Sequence, residues 1–292
     1  MTAGAFTTST VDLDGPVHYA DFGGSGPPIV LVHGLGGSHV NWVRVGPALS
    51  AFGHVLAPDL IGFGRTVPDR RSPAVLSNRV LVDRFIAEVA GGEAILVGNS
   101  MGGLISILQA ARRPHRVNGL VLVDPALFGS PGHRPDPTFM LRGALLATPV
   151  LGGLLARTHE ARTTPEQRVR EVLELCCVDP GKVPDDVVAA HVELTAEREL
   201  MPWALPAHVE AARSIAGALI PPVFTRTLRN VVAPTLLVHG TEDRLVPVDA
   251  ARHVAARRPD WGYTELDGVG HAPMLDEAER LLDTIVPFIR DN

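Results

Sequence analysis

Five short apolar runs constrain this chain more than any other feature. Pro28–His33, His54–Pro58, Ala94–Gly98, Gly119–Asp124 and Thr235–His239 are continuously hydrophobic rather than alternating. That is the pattern of strands buried on both faces of a mostly parallel sheet. Parallel neighbours need crossovers, and helix-like segments lie between the runs: Val75–Val89, Met101–Arg112, Val248–Arg257 and Glu277–Ile289. In the first of these, Leu76, Val80, Phe85 and Val89 are expected on the buried face. A last strand is expected at Tyr263–Leu266, and an N-terminal hairpin, Phe6–Val11 with Val17–Phe22, around Asp14-Gly15. The chain reads as a doubly wound α/β fold.

Residues 126–230 break the alternation. They hold helix-like stretches at Pro137–Ala147, Pro165–Leu175, Pro184–Leu200 and Ala204–Leu219, three of them opening at proline, which suits the first helical turn. The expected organisation is a core of residues 1–125 and 231–292 with a helical cap at 126–230, hinged near Gly129–Pro137. With 292 residues, 46% of them hydrophobic, the chain can bury a large core.

Charge and cysteine content narrow the partners. The net charge is −6 with acids and bases interspersed, so the basic block of a nucleic-acid binder is missing. The adjacent pair Cys176-Cys177 does not suggest a disulfide framework. Met1–Thr10 lacks the pattern of a signal peptide. The most apolar window, Met140–Ala156, is short for a membrane span and contains Arg142, Pro149 and Gly152-Gly153. A cytoplasmic protein without stable membrane insertion is expected.

Gly98-Asn99-Ser100-Met101-Gly102 fits a G-x-S-x-G turn that follows a strand and opens a helix. On its own the motif would also suit a serine that merely caps a helix. Three further motifs accompany it: His33-Gly34-Leu35-Gly36-Gly37 after the first apolar run, Asp59-Leu-Ile-Gly62-Phe63-Gly64-Arg65 after the next, and Gly268-Val-Gly-His271-Ala-Pro near the end.

Across nearly the whole chain, and most specifically over 28–125 and 231–280, these motifs resemble the α/β-hydrolase family. The resemblance implies Ser100 as nucleophile, His271 as base and Asp243, in Gly240–Pro247, as the acid, with Asp124 and Glu242 as alternatives. It implies an oxyanion hole from the N–H groups of Leu35 and Met101, and a structural acceptor at Asp59. His33 matches a loop-structuring residue, His239 a strand end, and His39 a pocket entrance. His18, His54, His115, His133, His159, His191, His208 and His253 read as surface or packing residues. The histidines lack metal-ligand spacing, and no cofactor or metal is expected.

A serine at the elbow argues against relatives that use an aspartate there, the epoxide hydrolases and haloalkane dehalogenases. Asn99 resembles the elbow of hydrolases that cleave carbon–carbon bonds in ring-fission products. Those enzymes commonly carry a tryptophan after the histidine, where this chain has Ala272-Pro273, and often a proline that His33–Gly37 lacks. They also need a cap arginine, for which Arg142, Arg157, Arg162, Arg198 and Arg213 are available. Gly34, Asn99 and Trp203 are candidate pocket residues, and Met140–Ala147, Leu151–Leu155 and Met201–Leu205 are apolar cap stretches. A carboxylesterase acting on small-molecule esters with small to medium apolar acyl groups is expected. The alternatives are carbon–carbon bond hydrolysis and a non-catalytic ligand-binding member of the fold. Activity is expected to fall at acid pH as the base protonates.

Overall fold

A computed structural model describes residues 6–128, 158 and 162–292. Eight strands, β1 (Thr7–Asp12), β2 (Pro16–Gly23), β3 (Pro28–Val32), β4 (His54–Pro58), β5 (Ala94–Asn99), β6 (Val117–Val123), β7 (Thr235–Gly240) and β8 (Gly262–Leu266), form one sheet. Its order is β1-β2-β4-β3-β5-β6-β7-β8. β1 and β2 form the expected hairpin, β2 meets β4 antiparallel, and every pairing from β4 onward is parallel. The hairpin turn puts Asp14 at φ +57° and Gly15 at φ +130°, the left-handed region that favours aspartate and glycine.

The apolar runs are continuous because both faces of the sheet are covered. Every residue of β5 and β7 is buried. Val32, Leu96, Leu122 and Leu237 pack on one side with α2 (Val75–Glu88), α3 (Met101–Arg112) and α8 (Val248–Arg257). Leu31, Val97, Val121 and Val238 pack on the other, with Trp42 and α10 (Ala278–Asp291). α10 buries Leu281, Leu282, Ile285 and Ile289 at helical spacing. Each such side chain contributes about 1.5–3 kcal/mol.

The buried face of α2 differs from expectation. Leu76 and Val80 are 62% and 45% exposed, and the residues turned inward are Val75, Asn78, Leu81, Val82, Phe85 and Ile86. The cause is Asn78, a polar residue in a core position. Its side chain accepts from Ile61 N–H at 2.7 Å and donates to Pro73 O at 2.9 Å, pinning the loop after β4 to the helix.

Between β6 and β7, which are parallel neighbours, the described residues form α4 (Pro165–Cys176), α5 (Asp185–Glu199), α6 (Ala204–Ala218) and α7 (Pro221–Arg229). The last was not anticipated from the sequence. α4 starts at a capping box, Thr164 with Gln167, and has proline at its first position. The expected helix Pro137–Ala147, the apolar stretches 140–156, the hinge 129–137, Arg142, Arg157, His133 and His159 all lie outside the described residues. Among the described residues, no helix is long and apolar enough to cross a membrane.

Candidate active site

The loops leaving β3, β5, β7 and β8 converge at the carboxyl edge of the sheet, where open α/β sheets bind ligands. Ser100 sits between β5 and α3 at φ +53°, ψ −120°. A non-glycine residue in such a conformation costs about 1–3 kcal/mol and persists only where its surroundings impose it. Here Ser100 N–H donates to Val123 O at 3.2 Å, and its carbonyl accepts from Ala126 and Leu104 N–H at 2.9 and 3.1 Å. Flanking glycines make room for the turn. A Cβ on Gly98 would lie 2.6 Å from Gly102 O, one on Gly102 2.1 Å from Val32 O, and one on Gly103 2.6 Å from the Pro125 Cβ.

The loop after β3 lies directly against this elbow. A Cβ on Gly34 would sit 3.0 Å from the Ser100 Cβ and 3.1 Å from Asn99 Oδ1. Gly37 N–H donates to Gly34 O at 3.1 Å with Gly36 at φ +76°, a type II turn. His33 fixes the turn from below. Its Nδ1 donates to Gly34 O at 2.7 Å, and its Nε2 accepts from Leu60 N–H at 3.0 Å. Burial pushes this imidazole down to about 4, so it is neutral near pH 7 and can fill both roles. Leu35 is thereby fixed in the turn whose Gly34 lies against Ser100. Met101 opens α3, where the first N–H groups have no acceptor within the helix.

His271 Nδ1 donates to Asp243 Oδ2 at 2.7 Å, which leaves Nε2 as the basic nitrogen. Both residues are buried, at 5% and 8% exposure. Asp243 Oδ1 accepts from Leu245 and Val246 N–H at 2.7 and 2.9 Å. Burial works to raise the Asp243 carboxyl, but the adjacent His271, with its hydrogen bond, outweighs it and holds the carboxyl below its ordinary range. Of the three acids considered from sequence, Asp243 is the one paired with His271; Glu242 is exposed, and Asp124 accepts from Gly240 N–H. The His271 loop is anchored by the inserted helices, because Cys176 O, at the end of α4, accepts from His271 and Ala272 N–H at 2.7 and 3.2 Å. One orphan helical carbonyl thus serves two loop donors.

Two sequence readings change here. Asn99 is 4% exposed, and its amide nitrogen donates to Val123 O at 3.1 Å and His271 O at 3.0 Å. It ties the elbow to the His271 loop, with only Oδ1 directed towards Gly34. His39 is buried rather than at a pocket entrance, and it donates to Asp59 together with His18. Asp59 also accepts from His39 and Arg65 N–H, at 2.7 and 2.9 Å. Burial alone would raise this carboxyl, but the hydrogen bonds from His18 and His39 hold it far below its usual range. It is the loop-stabilising acceptor of the sequence reading. The ligand atoms of His18, His39 and Asp59 lie within 4.8 Å of one another, close enough for a metal ion, yet N–H donors occupy both carboxylate oxygens.

Residues of α5 and α6 complete the surroundings. Arg198 donates to Gly64 O and Gly62 O at 2.9 and 3.0 Å, with its guanidinium 5.8 Å from the Phe63 ring and 5.3 Å from that of Trp203. Burial lowers the Arg198 pKa. Trp203 is half-buried behind Arg198, on a shallow cleft with Pro68, Pro73 and Glu210. His208 was read from sequence as a surface or packing residue. It packs edge-on to Phe63, and a Cβ on Gly36 would lie 3.3 Å from its Cε1. Desolvation, and then the Arg198 charge, push its imidazole down to about 4. No local motif announced it, because its partners lie far away in the chain.

Comparison with known proteins identifies the family and the fold. The profile of the alpha/beta hydrolase family matches residues 29–284. The 2-hydroxy-6-oxo-6-(2'-aminophenyl)hexa-2,4-dienoic acid hydrolase of Metapseudomonas resinovorans is 30% identical over 278 residues, covering 91% of this chain and 85% of that protein. The pimeloyl-acyl-carrier-protein methyl ester esterase of Aromatoleum aromaticum is 30% identical over 269 residues, covering 90% and 98%. The solved meta-cleavage product hydrolase from Pseudomonas fluorescens IP01 shares the fold at a TM-score of 0.75 and 22% identity, covering 94% of each chain. The chain belongs to the alpha/beta hydrolase family.

Proposed function

We propose that this protein is a serine hydrolase that cleaves carboxylic esters with small to medium apolar acyl groups through an acyl-enzyme. The observation that carries this reading is the buried His271–Asp243 pair, whose loop Asn99 ties to the strained elbow holding Ser100. In the proposed reaction Ser100 Oγ attacks the ester carbonyl carbon while His271 Nε2 takes its proton. The N–H groups of Leu35 and Met101 receive the oxyanion, each donor contributing about 3 kcal/mol to the transition state. His271 returns the proton to the leaving alcohol. Water, deprotonated by His271, then releases the acid and restores Ser100. The described helices inserted between β6 and β7 act as a cap beside this site, with His208 and Phe63 next to the oxyanion loop.

A second reading, hydrolysis of a carbon–carbon bond in a dienoate substrate, is favoured by Arg198. Its guanidinium is largely desolvated and, among the described residues, is held by carbonyls and aromatic rings rather than a carboxylate. Such a group suits a substrate carboxylate. Turnover of p-nitrophenyl esters from acetate to palmitate, beside a 2-hydroxy-6-oxo-dienoate, separates the two readings. The ester reading requires turnover peaking at short or medium acyl chains and abolished in Ser100→Ala. Turnover of the dienoate alone, lost in Arg198→Ala, establishes the second reading. Retention of a ligand without turnover would contradict both.

A further inference from the structure

Behind the candidate acid, at the carboxyl ends of β6 and β7, lies a buried cluster that the proposed triad uses only in part. Asp124 and His239 are fully buried and Asp243 nearly so, and one ligand atom of each lies within 4.8 Å of the others. Asp243 accepts three N–H donors, from Leu245, Val246 and His271, the pattern of an ionised carboxylate. His239 donates Nε2–H to Val246 O at 2.8 Å, which a neutral ring can do. Nδ1 is buried with no hydrogen-bond partner among the described residues, and burial lowers the imidazole pKa. His239, 3.4 Å from Asp243 Oδ2 and 3.8 Å from Asp124 Oδ1, therefore brings no positive charge.

Asp124 is left in an unusual position. Oδ1 accepts from Gly240 N–H at 2.7 Å, while Oδ2 is buried and, among the described residues, receives no N–H or hydroxyl donor. The groups that face this carboxyl are Asp243, neutral His239 and the more distant acid Asp276. A second anion beside Asp243, desolvated and with no cation to balance it, is the arrangement that two adjacent carboxyls resolve by keeping one proton. Burial, and then the negative charge of Asp243, push the Asp124 pKa well above the carboxylate range.

We propose that Asp124 is a positioning residue for the triad: its carboxyl stays protonated on Oδ2 and donates to the Asp243 carboxylate. Two consequences follow for the reaction proposed above, on which this part of the inference rests. The donor fixes the Asp243 carboxylate that orients His271. Its proton also keeps the charge behind His271 at a single unit, since an ionised Asp124 would favour the imidazolium and remove the base at neutral pH.

The test has two arms on the full-length protein. In difference infrared spectra at pH 7, wild type minus Asp124→Asn should show the carbonyl stretch of one protonated carboxyl, whatever substrate the protein takes. The pH profile of kcat/KM forms the second arm. Asparagine keeps an N–H donor in the same shape, so Asp124→Asn should leave the acid limb in place. Asp124→Leu should lower kcat about tenfold, the equivalent of one hydrogen bond to a charged group. No protonated-carboxyl band, or an acid limb shifted down by about one pH unit in Asp124→Asn, would overturn the proposal. If neither esters nor dienoates are turned over, the function proposed above fails, while the infrared band still decides the protonation. It decides equally if Asp124→Leu does not fold.

Discussion

At the scale of single residues, the chemistry depends on backbone positions as much as on side chains. Ser100→Ala removes the proposed nucleophile without altering the turn, so kcat should fall on the order of 10⁴–10⁶-fold with the thermal midpoint little changed. A comparable loss of fold would mean that Ser100 is structural. Gly102→Ala acts through packing. Its Cβ would meet Val32 O at 2.1 Å and His33 O at 2.5 Å, so unfolding titrations should show a loss of about 2–3 kcal/mol. Ser100 and Asp243 could be singled out because each follows an apolar run at a recognisable spacing, and His271 because it lies in a glycine-rich loop between the last strand and the final helix. The role of Asn99 could not. Its decisive contact, with His271 O, joins residues 172 positions apart, and such a contact leaves no trace in local sequence.

At the scale of elements, the apolar runs and helix starts were readable, while the faces were not. The misjudged face of α2 has a simple cause: Asn78 is buried because it bonds a loop, and a pattern of hydrophobicity scores it as surface. Asn78→Ala should therefore destabilise the protein by about 1–3 kcal/mol, read from the urea midpoint. No change in the midpoint would mean that the loop after β4 does not need it. The contacts of α5 with that loop separate two kinds of interaction. Arg65–Glu197 is a bidentate ion pair with each side chain about one-third exposed, at 36% and 35%, and its removal should cost under about 1 kcal/mol. Arg198→Ala leaves the carbonyls of Gly62 and Gly64 without their donors and should cost more, about 2 kcal/mol. Equal losses in the two variants would contradict that ranking.

At the scale of the molecule, buried histidines couple the fold to pH. Burial pushes His33 and His191 to about 4, below the value near 6.5 expected of an unfolded chain. Between those values the unfolded state binds more protons, so stability is full above about pH 6.5 and is lost as pH falls towards 4. His33 alone, fully buried, accounts for about 3 kcal/mol across that window. Asp59 behaves in the same direction lower down. Its depressed pKa stabilises the fold above about pH 4, and that contribution disappears under stronger acid. Thermal midpoints measured from pH 7 to pH 4 should fall steadily, and a flat profile would show that these histidines are not buried neutral. The sheet itself was legible because parallel strands leave continuous apolar runs, whereas the partners of the inserted helices depend on packing that no single segment encodes. The proposed chemistry depends on Ser100 being an activated nucleophile. Labelling with a fluorophosphonate, read by intact mass and peptide mapping, tests this without knowledge of the substrate. One adduct on Ser100, absent from Ser100→Ala and slowed in Asp243→Asn, is the predicted result. An unlabelled Ser100, or labelling that persists in Ser100→Ala, would contradict it.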